Sequence, residues 1–473
     1  MANGIDEVVP VELSNMSSHE EWLNSIIDAA EGANSTTTNS ASDQAPRRQR
    51  PPARLIHKVP QMLGETKAEF EKYYAPRVVS IGPYHHHNLQ QLHQMNEFKL
   101  IFTRKLVSND KQKLDGLYSE LFQMIKQVRD CYEETNVASF NDEAFTRMML
   151  IDGCFILYFI HCSQNENDRV RVGLKPYHIP FVQQDLFLLE NQLPFLVLDE
   201  LINSPSTILT TTDWMQKVGK FIEDKIMVPQ YGTKQINKRQ VVQDNDYAHL
   251  LELLHKKMVG PVGSGIREVC SYNWYNFRNV KELIEAGIRL KPSKTSFLTD
   301  ICYERGYLDR HLTLPPITVD DSTKSKFINL IAYEMCPEAS DDIWVISYIC
   351  FLDALVDQAE DVKELRSAGI LHNHLGSDHE VATLFNEIAI DLVPLPCAYN
   401  KVKCDIQAHY HSKGLNYLAQ LKHQHLKNPW TIMGLIAGFI LLILTAVQAW
   451  FQVWSRPTEC DRLCKFIKDN HHI

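Results

Sequence analysis

The sequence is poor in the signatures that announce chemistry. A nucleophile elbow, Walker A loop, Rossmann glycines, zinc HExxH helix, EF-hand loop and kinase motifs are all absent, and His379-Glu380 lacks the second histidine a zinc helix needs. Eleven cysteines include no C-x-x-C pair and no tight framework, which speaks against a disulfide scaffold and for reduced thiols in a cytosolic body. The start has neither a basic n-region nor a continuous apolar h-region, so no secretory signal peptide is expected. No repeat of 20–50 residues is apparent, which argues against a solenoid. Positive charge is also short: 48 Lys and Arg against 58 Asp and Glu leave a formal charge of −10, which argues against nucleic acid as a partner.

Length and overall balance permit a large core. The chain has 473 residues, 44% of them hydrophobic and 22% charged, a globular composition that excludes a fully disordered chain, a collagen-like chain or a coiled-coil rod. The charge is unevenly placed. Residues 1–46 contain no Lys or Arg, while Asp6, Glu7, Glu12, Glu20, Glu21, Asp28, Glu31 and Asp43 supply eight of the ten net negative charges. Asn34 to Ser42 is nearly all Ser, Thr, Asn and Ala, too polar to order itself. A short amphipathic helix is expected at Glu20 to Ala30, where Trp22, Ile26 and Ile27 share a face. Arg47, Arg48, Arg50 and Arg54 then read as a solvated basic linker.

The longest charge-free run lies near the other end. From Trp430 to Trp454 there is no charged residue, and twenty-four steps of helix reach about 36 Å, enough to cross a hydrocarbon core of about 30 Å. Trp430 at one end and Trp450 and Trp454 at the other stand where interfacial aromatics belong. A transmembrane helix is therefore expected, inserted as a tail anchor with the body cytosolic. Flanking charges are nearly balanced and do not orient it. Within it Gly434 and Gly438 form a G-x-x-x-G, and Thr445 and Gln448 extend the stripe, a face that would let two spans approach.

Between the ends, helical spacing dominates. Tyr118, Leu121, Phe122, Ile125, Val128 and Tyr132 mark one amphipathic helix, and Met148 to Ile160 reads as a core helix. Further helices are expected over Phe181 to Asn191, Pro194 to Ile202, Ser325 to Met335, Ile343 to Asp357, Asp361 to Ser367 and Glu380 to Ile390. β-prone pieces such as Val78 to Ile81 and Leu314 to Val319 are too few for a large sheet. The expected organisation is an acidic, largely disordered extension with its basic linker (1–54), a helical domain (55–428, with 204–275 a variable loop region), the span (429–454) and a short tail (455–473). The fold class is mainly α: a large helical domain with few short strands, plus one C-terminal transmembrane helix.

Three constellations bear on chemistry. His85-His86-His87, with His93 beyond, could hold a transition metal, but adjacent histidines diverge, and a turn after Gly82-Pro83 with hydrogen-bonded rings is the plainer reading. Asp152, Asp185, Glu190, Asn191 and Gln192 sit in apolar runs. Buried carboxylates could serve as general acid and base, or they could satisfy helix ends and cross-link the core, with Asp185 placed in a capping or first-turn role for the apolar helix that follows it. His409, His411, His423 and His425 form two H-x-H pairs, read as interfacial residues ahead of the span.

These strings also carry a resemblance. Tyr74-Ala75-Pro76-Arg77-Val78-Val79-Ser80-Ile81-Gly82-Pro83-Tyr84-His85-His86 resembles the opening motif of the plant domain of unknown function 247 family, also called uncharacterised protein family 0481. Further matches follow in order: Arg129-Asp130-Cys131-Tyr132, Met148 to Phe155 around Asp152-Gly153, and Asp185 to Phe195. Beyond the variable loop come Glu285-Ala286-Gly287-Ile288, Asp320 to Thr323 with Asn329 to Glu334, Gly369-Ile370 with Leu375 to Asp378, and Asn428-Pro429-Trp430. His87 departs from the glycine usual there. The resemblance implies a mostly helical plant protein with one C-terminal membrane segment, placed at the plasma membrane, with no activity or cofactor established for the class. The expected function is a membrane-anchored protein-interaction or recognition module, with the bilayer and other proteins as partners, homo-association through the span, and no cofactor or metal. The alternative is a membrane-tethered, hydrolase-like enzyme using Asp152, Asp185 or Glu190.

Overall fold

The first half of the body assembles around one long apolar helix. The computed structural model describes residues 19–27, 54–63, 67–86, 92–208, 211–223, 247–262, 278–306, 310–337, 343–411, 429–454 and 459–470, and statements below concern these. In chain order the first helices are α1 (His19–Ile27), α2 (Lys67–Tyr73), α3 (His93–Leu106), α4 (Lys111–Arg129), α5 (Glu134–Val137) and α6 (Asp142–Gln164). They are followed by α7 (Glu166–Arg171), α8 (His178–Asp185), α9 (Phe195–Asn203), α10 (Thr211–Glu223) and α11 (Leu250–Val259). Asn141 opens α6 by accepting from Ala144 N–H at 2.7 Å. Because α6 is apolar nearly all round, it must be enclosed, and α3, α4, α9 and α10 pack about it. Gly153 sets one of those distances: a Cβ there would lie 2.4 Å from Leu201 Cδ1 of α9. Asp110 caps α4 through Gln112 N–H at 2.9 Å.

α1 follows the expected amphipathic piece, and its apolar face is covered. Trp22, Leu23 and Ile26 are buried, the Trp22 ring standing 5.6 Å from Tyr118 of α4 and under the Arg147 guanidinium of α6 at 5.3 Å. The remainder of 1–53 lies outside the described residues.

The second half mixes short strands with helices: α12 (Val280–Glu285), β1 (Ile288–Pro292), β2 (Cys302–Arg305), β3 (Arg310–Leu314), β4 (Ile317–Val319), α13 (Thr323–Glu334), α14 (Trp344–Leu355), α15 (Ala359–Ser367), β5 (Leu371–Asn373), α16 (Asp378–Ile388) and α17 (Asn400–His411). β3 pairs parallel to β1 (Leu290 opposite Leu312) and antiparallel to β2 (Tyr303 opposite Leu312), while β4 pairs parallel to β5. One apolar core runs through both halves, from Trp22 to Ile406. The protein is mostly helical with few short strands, as the periodicity implies.

Three expectations are corrected. Val78 to Ile81 is not a strand: it has no strand neighbour among the described residues, and side chains satisfy its backbone. The helix expected to reach Asn191 ends at Asp185, so Asp185 closes α8 and caps no following helix. The 204–275 window is not wholly irregular, since α10 and α11 bury Trp214, Phe221, Leu251 and Leu254 in the core.

Two more helices follow: α18 (Pro429–Trp454) and α19 (Glu459–Asp469). From Met433 to Trp454 no residue of α18 is buried, whereas 94% of the apolar window of α6 is buried. The two helices pass the same test of length and apolarity, and only α6 finds its cover inside the protein.

Candidate functional site

The residues singled out by sequence converge on one stretch of backbone, 77–82, which is buried from Val79 onward. Val79, Ser80 and Ile81 are essentially inaccessible yet belong to no sheet, so their polar groups need other partners. Asp185 accepts three amides in succession: Arg77 N–H on Oδ1 at 2.9 Å, then Val78 and Val79 N–H on Oδ2 at 2.7 and 2.9 Å. Asn191 Oδ1 accepts Ile81 N–H at 2.7 Å, and its Nδ2 donates to Val79 O at 3.1 Å. Asp152 Oδ2 accepts Gly82 N–H at 2.8 Å, and Lys99 Nζ donates to Ser80 O. Side chains do here what a neighbouring strand would do in a sheet.

The turn that follows α8 is shaped to supply these groups. Asn191 Nδ2 also donates to Asp185 O at 2.9 Å, and Gln192 Nε2 donates to Leu186 O and Leu188 O at 2.9 and 2.7 Å. These local bonds compete with helix continuation and end α8 where they do. Gln192 Oε1 meanwhile accepts Leu251 N–H of α11 at 3.1 Å, and Glu190 Oε1 accepts Val59 N–H at 2.9 Å. Burial pushes the Asp185 carboxyl up to about 6 against the opposing pull of the Arg77, Val78 and Val79 amides.

Asp152 is held by charge as well. Lys99 Nζ of α3 lies 2.5 Å from Asp152 Oδ1, with both side chains under a tenth exposed. Such a pair is costly to break, because the survivor is left as an uncompensated buried charge. Gly82 closes the arrangement with φ +73°, where a Cβ would meet Gln192 O at 2.9 Å and Tyr132 Oη at 3.2 Å. Tyr132 in turn donates to Gln192 O at 3.1 Å. Five of the six oxygens of Asp152, Asp185 and Glu190 thus accept a hydrogen bond, and the sixth, Glu190 Oε2, faces His85 Nε2 at 3.3 Å. The carboxylates are brought together around backbone, and each is engaged by groups of the protein itself.

The histidines are dispersed into separate roles. His85 is buried against Glu190, His86 sits edge-on to Phe140 at 5.3 Å, and His87 lies outside the described residues. Tyr84 donates to Ile56 O and carries Lys58 Nζ over its ring at 5.6 Å. Among the described residues no three His, Cys, Asp or Glu side chains gather as a metal ion would require. His409 is not interfacial: it is buried in α17 and its Nε2 lies 2.8 Å from Ala286 O, while His423 and His425 lie outside the described residues. The ten described cysteines are free; burial pushes the Cys131, Cys154 and Cys162 thiols up to about 12, which makes them inert.

Several residues of equal weight were given no role from sequence, although Asn329 and Glu334 delimit one of the motifs quoted above. Asn329 of α13 accepts Leu189 N–H at 2.9 Å and donates to Tyr73 O at 3.0 Å, tying the turn after α8 to the end of α2. Glu334 accepts Val345 and Ile346 N–H at 2.8 Å each, capping α14 from a neighbouring helix, and its Oε1 lies 2.6 Å from His255 Nε2. His249 caps α11, its Nδ1 accepting Glu252 N–H at 3.2 Å. The readable signal was a polar residue inside an apolar helical stripe, as with Lys99 between Met95, Phe98 and Phe102.

The fold and this framework define a mainly helical protein in which motif side chains act as an internal polar scaffold, binding backbone segments remote in sequence. The chain belongs to the DUF247 family, described as plant protein of unknown function, whose model matches residues 56–444. It is similar to UPF0481 protein At3g47200 of Arabidopsis thaliana (29% identical, covering 81% of this chain and 83% of that protein). It is also similar to a second Arabidopsis thaliana UPF0481 protein, At3g02645 (21% identical, 81% and 87% covered). No solved structure matches it.

Proposed function

We propose that the protein is a single-pass membrane protein of the plasma membrane whose helical body stands on the cytosolic side and serves as a protein-interaction and recognition module. The observation that carries this reading is α18: twenty-five consecutive uncharged residues from Trp430 to Trp454, helical throughout, with no residue from Met433 onward buried against the body. Exposing so much contiguous apolar surface to water is unfavourable by about 25 cal/mol for each Å², so the helix requires a cover, and its length of about 36 Å fits a bilayer. Free thiols throughout the described body suit a reducing compartment. The polar atoms of the motif residues hold the body together, and the interaction role is assigned to the surface that this scaffold carries.

The span also offers a surface for self-association. Gly434 and Gly438 have nothing within 4 Å of where a Cβ would stand, leaving room for a second helix, whereas Thr445 Oγ1 donates to Leu442 O at 2.9 Å and has its proton engaged within its own helix. The test of the anchor is alkaline carbonate extraction of the full chain beside a chain ending at residue 428. Retention of the first in the membrane pellet and release of the second are expected; release of both overturns the reading. Proximity labelling from the anchored chain, with the shortened chain as control, then tests the interaction role, which fails if the two label the same neighbours.

A further inference from the structure

α19 has no cover in the described structure, although it is built with two unlike faces. Its eleven residues read Glu-Cys-Asp-Arg-Leu-Cys-Lys-Phe-Ile-Lys-Asp, and at 100° per residue Cys460, Leu463, Cys464, Phe466 and Ile467 fall on one side. Asp461, Arg462, Lys465, Lys468 and Asp469 fall on the other, while Glu459, the first residue of the helix, projects on the apolar side. None of the eleven is buried, and Leu463, Phe466 and Ile467 stand 64%, 69% and 50% exposed. Isolated helices shorter than about 12–15 residues are marginal in water, so an eleven-residue helix with none of its residues buried needs a surface to fold on.

We propose that α19 lies along the lipid–water interface, with Leu463, Phe466 and Ile467 immersed at the headgroup–acyl boundary and Cys460 and Cys464 along the flank. This inference rests on α18 crossing a bilayer. Four residues separate Trp454 from Glu459, and five steps of extended chain reach about 18 Å, so α19 cannot leave the neighbourhood of the headgroup layer where the span emerges. The interfacial ring of Trp450 and Trp454, packed 4.6 Å apart, leads directly to it. Three basic residues (Arg462, Lys465, Lys468) balance three acidic ones (Glu459, Asp461, Asp469), so attachment is by apolar burial and holds on uncharged lipid.

The test uses the full chain in phosphatidylcholine nanodiscs at about one chain per disc, read by hydrogen–deuterium exchange over 459–469. Exchange at least tenfold slower is expected in the native chain than in a Leu463→Ser, Phe466→Ser, Ile467→Ser variant. A polar-face control, Arg462→Gln with Lys465→Gln, keeps the native rate. A phosphatidylcholine with a photoreactive group high on its acyl chain labels the tail peptide in the native chain, a readout that does not depend on helix content. Equal fast exchange in native and triple-variant chains, without lipid labelling and with carbonate-resistant membrane retention, overturns the interfacial placement and leaves the anchor standing. Release by carbonate overturns the anchor itself. Protection that appears only with several chains per disc assigns the face to a second copy and overturns the lipid assignment.

Discussion

Replacing Asp185 with alanine removes the acceptor for three consecutive amides, and their different surroundings set the cost. Arg77 N–H belongs to an exposed residue and can turn to water, Val78 is half-buried, and Val79 is fully buried. A hydrogen bond to a charged group contributes about 1.5–3 kcal/mol, so losing the Val78 and Val79 bonds costs about 3–6 kcal/mol. That is a large part of the roughly 5–15 kcal/mol by which a domain is stable. Asp185→Asn keeps one oxygen, which can serve Val78 and Val79 together while Nδ2 turns toward Arg77, so its cost is about 1–2 kcal/mol. Hydrogen exchange read on a peptide spanning 77–82 of the detergent-solubilised full chain separates the cases. Each 1.4 kcal/mol is tenfold, so exchange rises about 100-fold or more in Asp185→Ala and by about tenfold in Asp185→Asn. Exchange in Asp185→Ala within threefold of the native chain, with unchanged thermal unfolding, would refute the clamp.

Other consequences are equally direct. Asp152→Ala strands Lys99 Nζ in the core and frees Gly82 N–H, and is expected to cost about 3–5 kcal/mol in denaturant unfolding. Gly82→Ala places a methyl 2.9 Å from Gln192 O at φ +73° and is expected to destabilise by about 2 kcal/mol or more, measured the same way. The His249 cap needs an unprotonated Nδ1, and burial lowers this histidine to about 4. Its contribution is therefore complete above about pH 6.5 and lost as pH falls through 4, up to about 3 kcal/mol in all. His249→Asn keeps a capping oxygen without the titration, so its stability relative to the native chain rises by about that amount between pH 7 and pH 4 in parallel unfolding curves.

How far the fold could be read depended on how local the cause was. α4, α6 and α18 carry their explanation within themselves: spacing of Leu121, Ile125 and Val128, enclosure demanded by Met148 to Ile160, absence of charge from Trp430 to Trp454. Val78 to Ile81 misled because a β-branched run reads as a strand, while its partners are single side chains, Asp185 and Asn191 more than 100 residues away and Lys99 19 residues away. The end of α8 depends on Asn191 and Gln192 reaching back to its carbonyls, which periodicity does not register. α11 was hidden by the polar sequence around it, although Leu250, Leu251 and Leu254 are buried. The residues of the clamp were nonetheless nearly all named from sequence, as polar groups in apolar surroundings. Which backbone each would hold was legible only in the folded chain.

A single span with the body on the cytosolic side is tested by protease treatment of sealed microsomes bearing an N-terminally tagged chain. The account predicts that the tag and body are digested from outside the vesicles, leaving a small protected fragment that contains α18 and the residues after it. Survival of the tag until detergent opens the vesicles would contradict it.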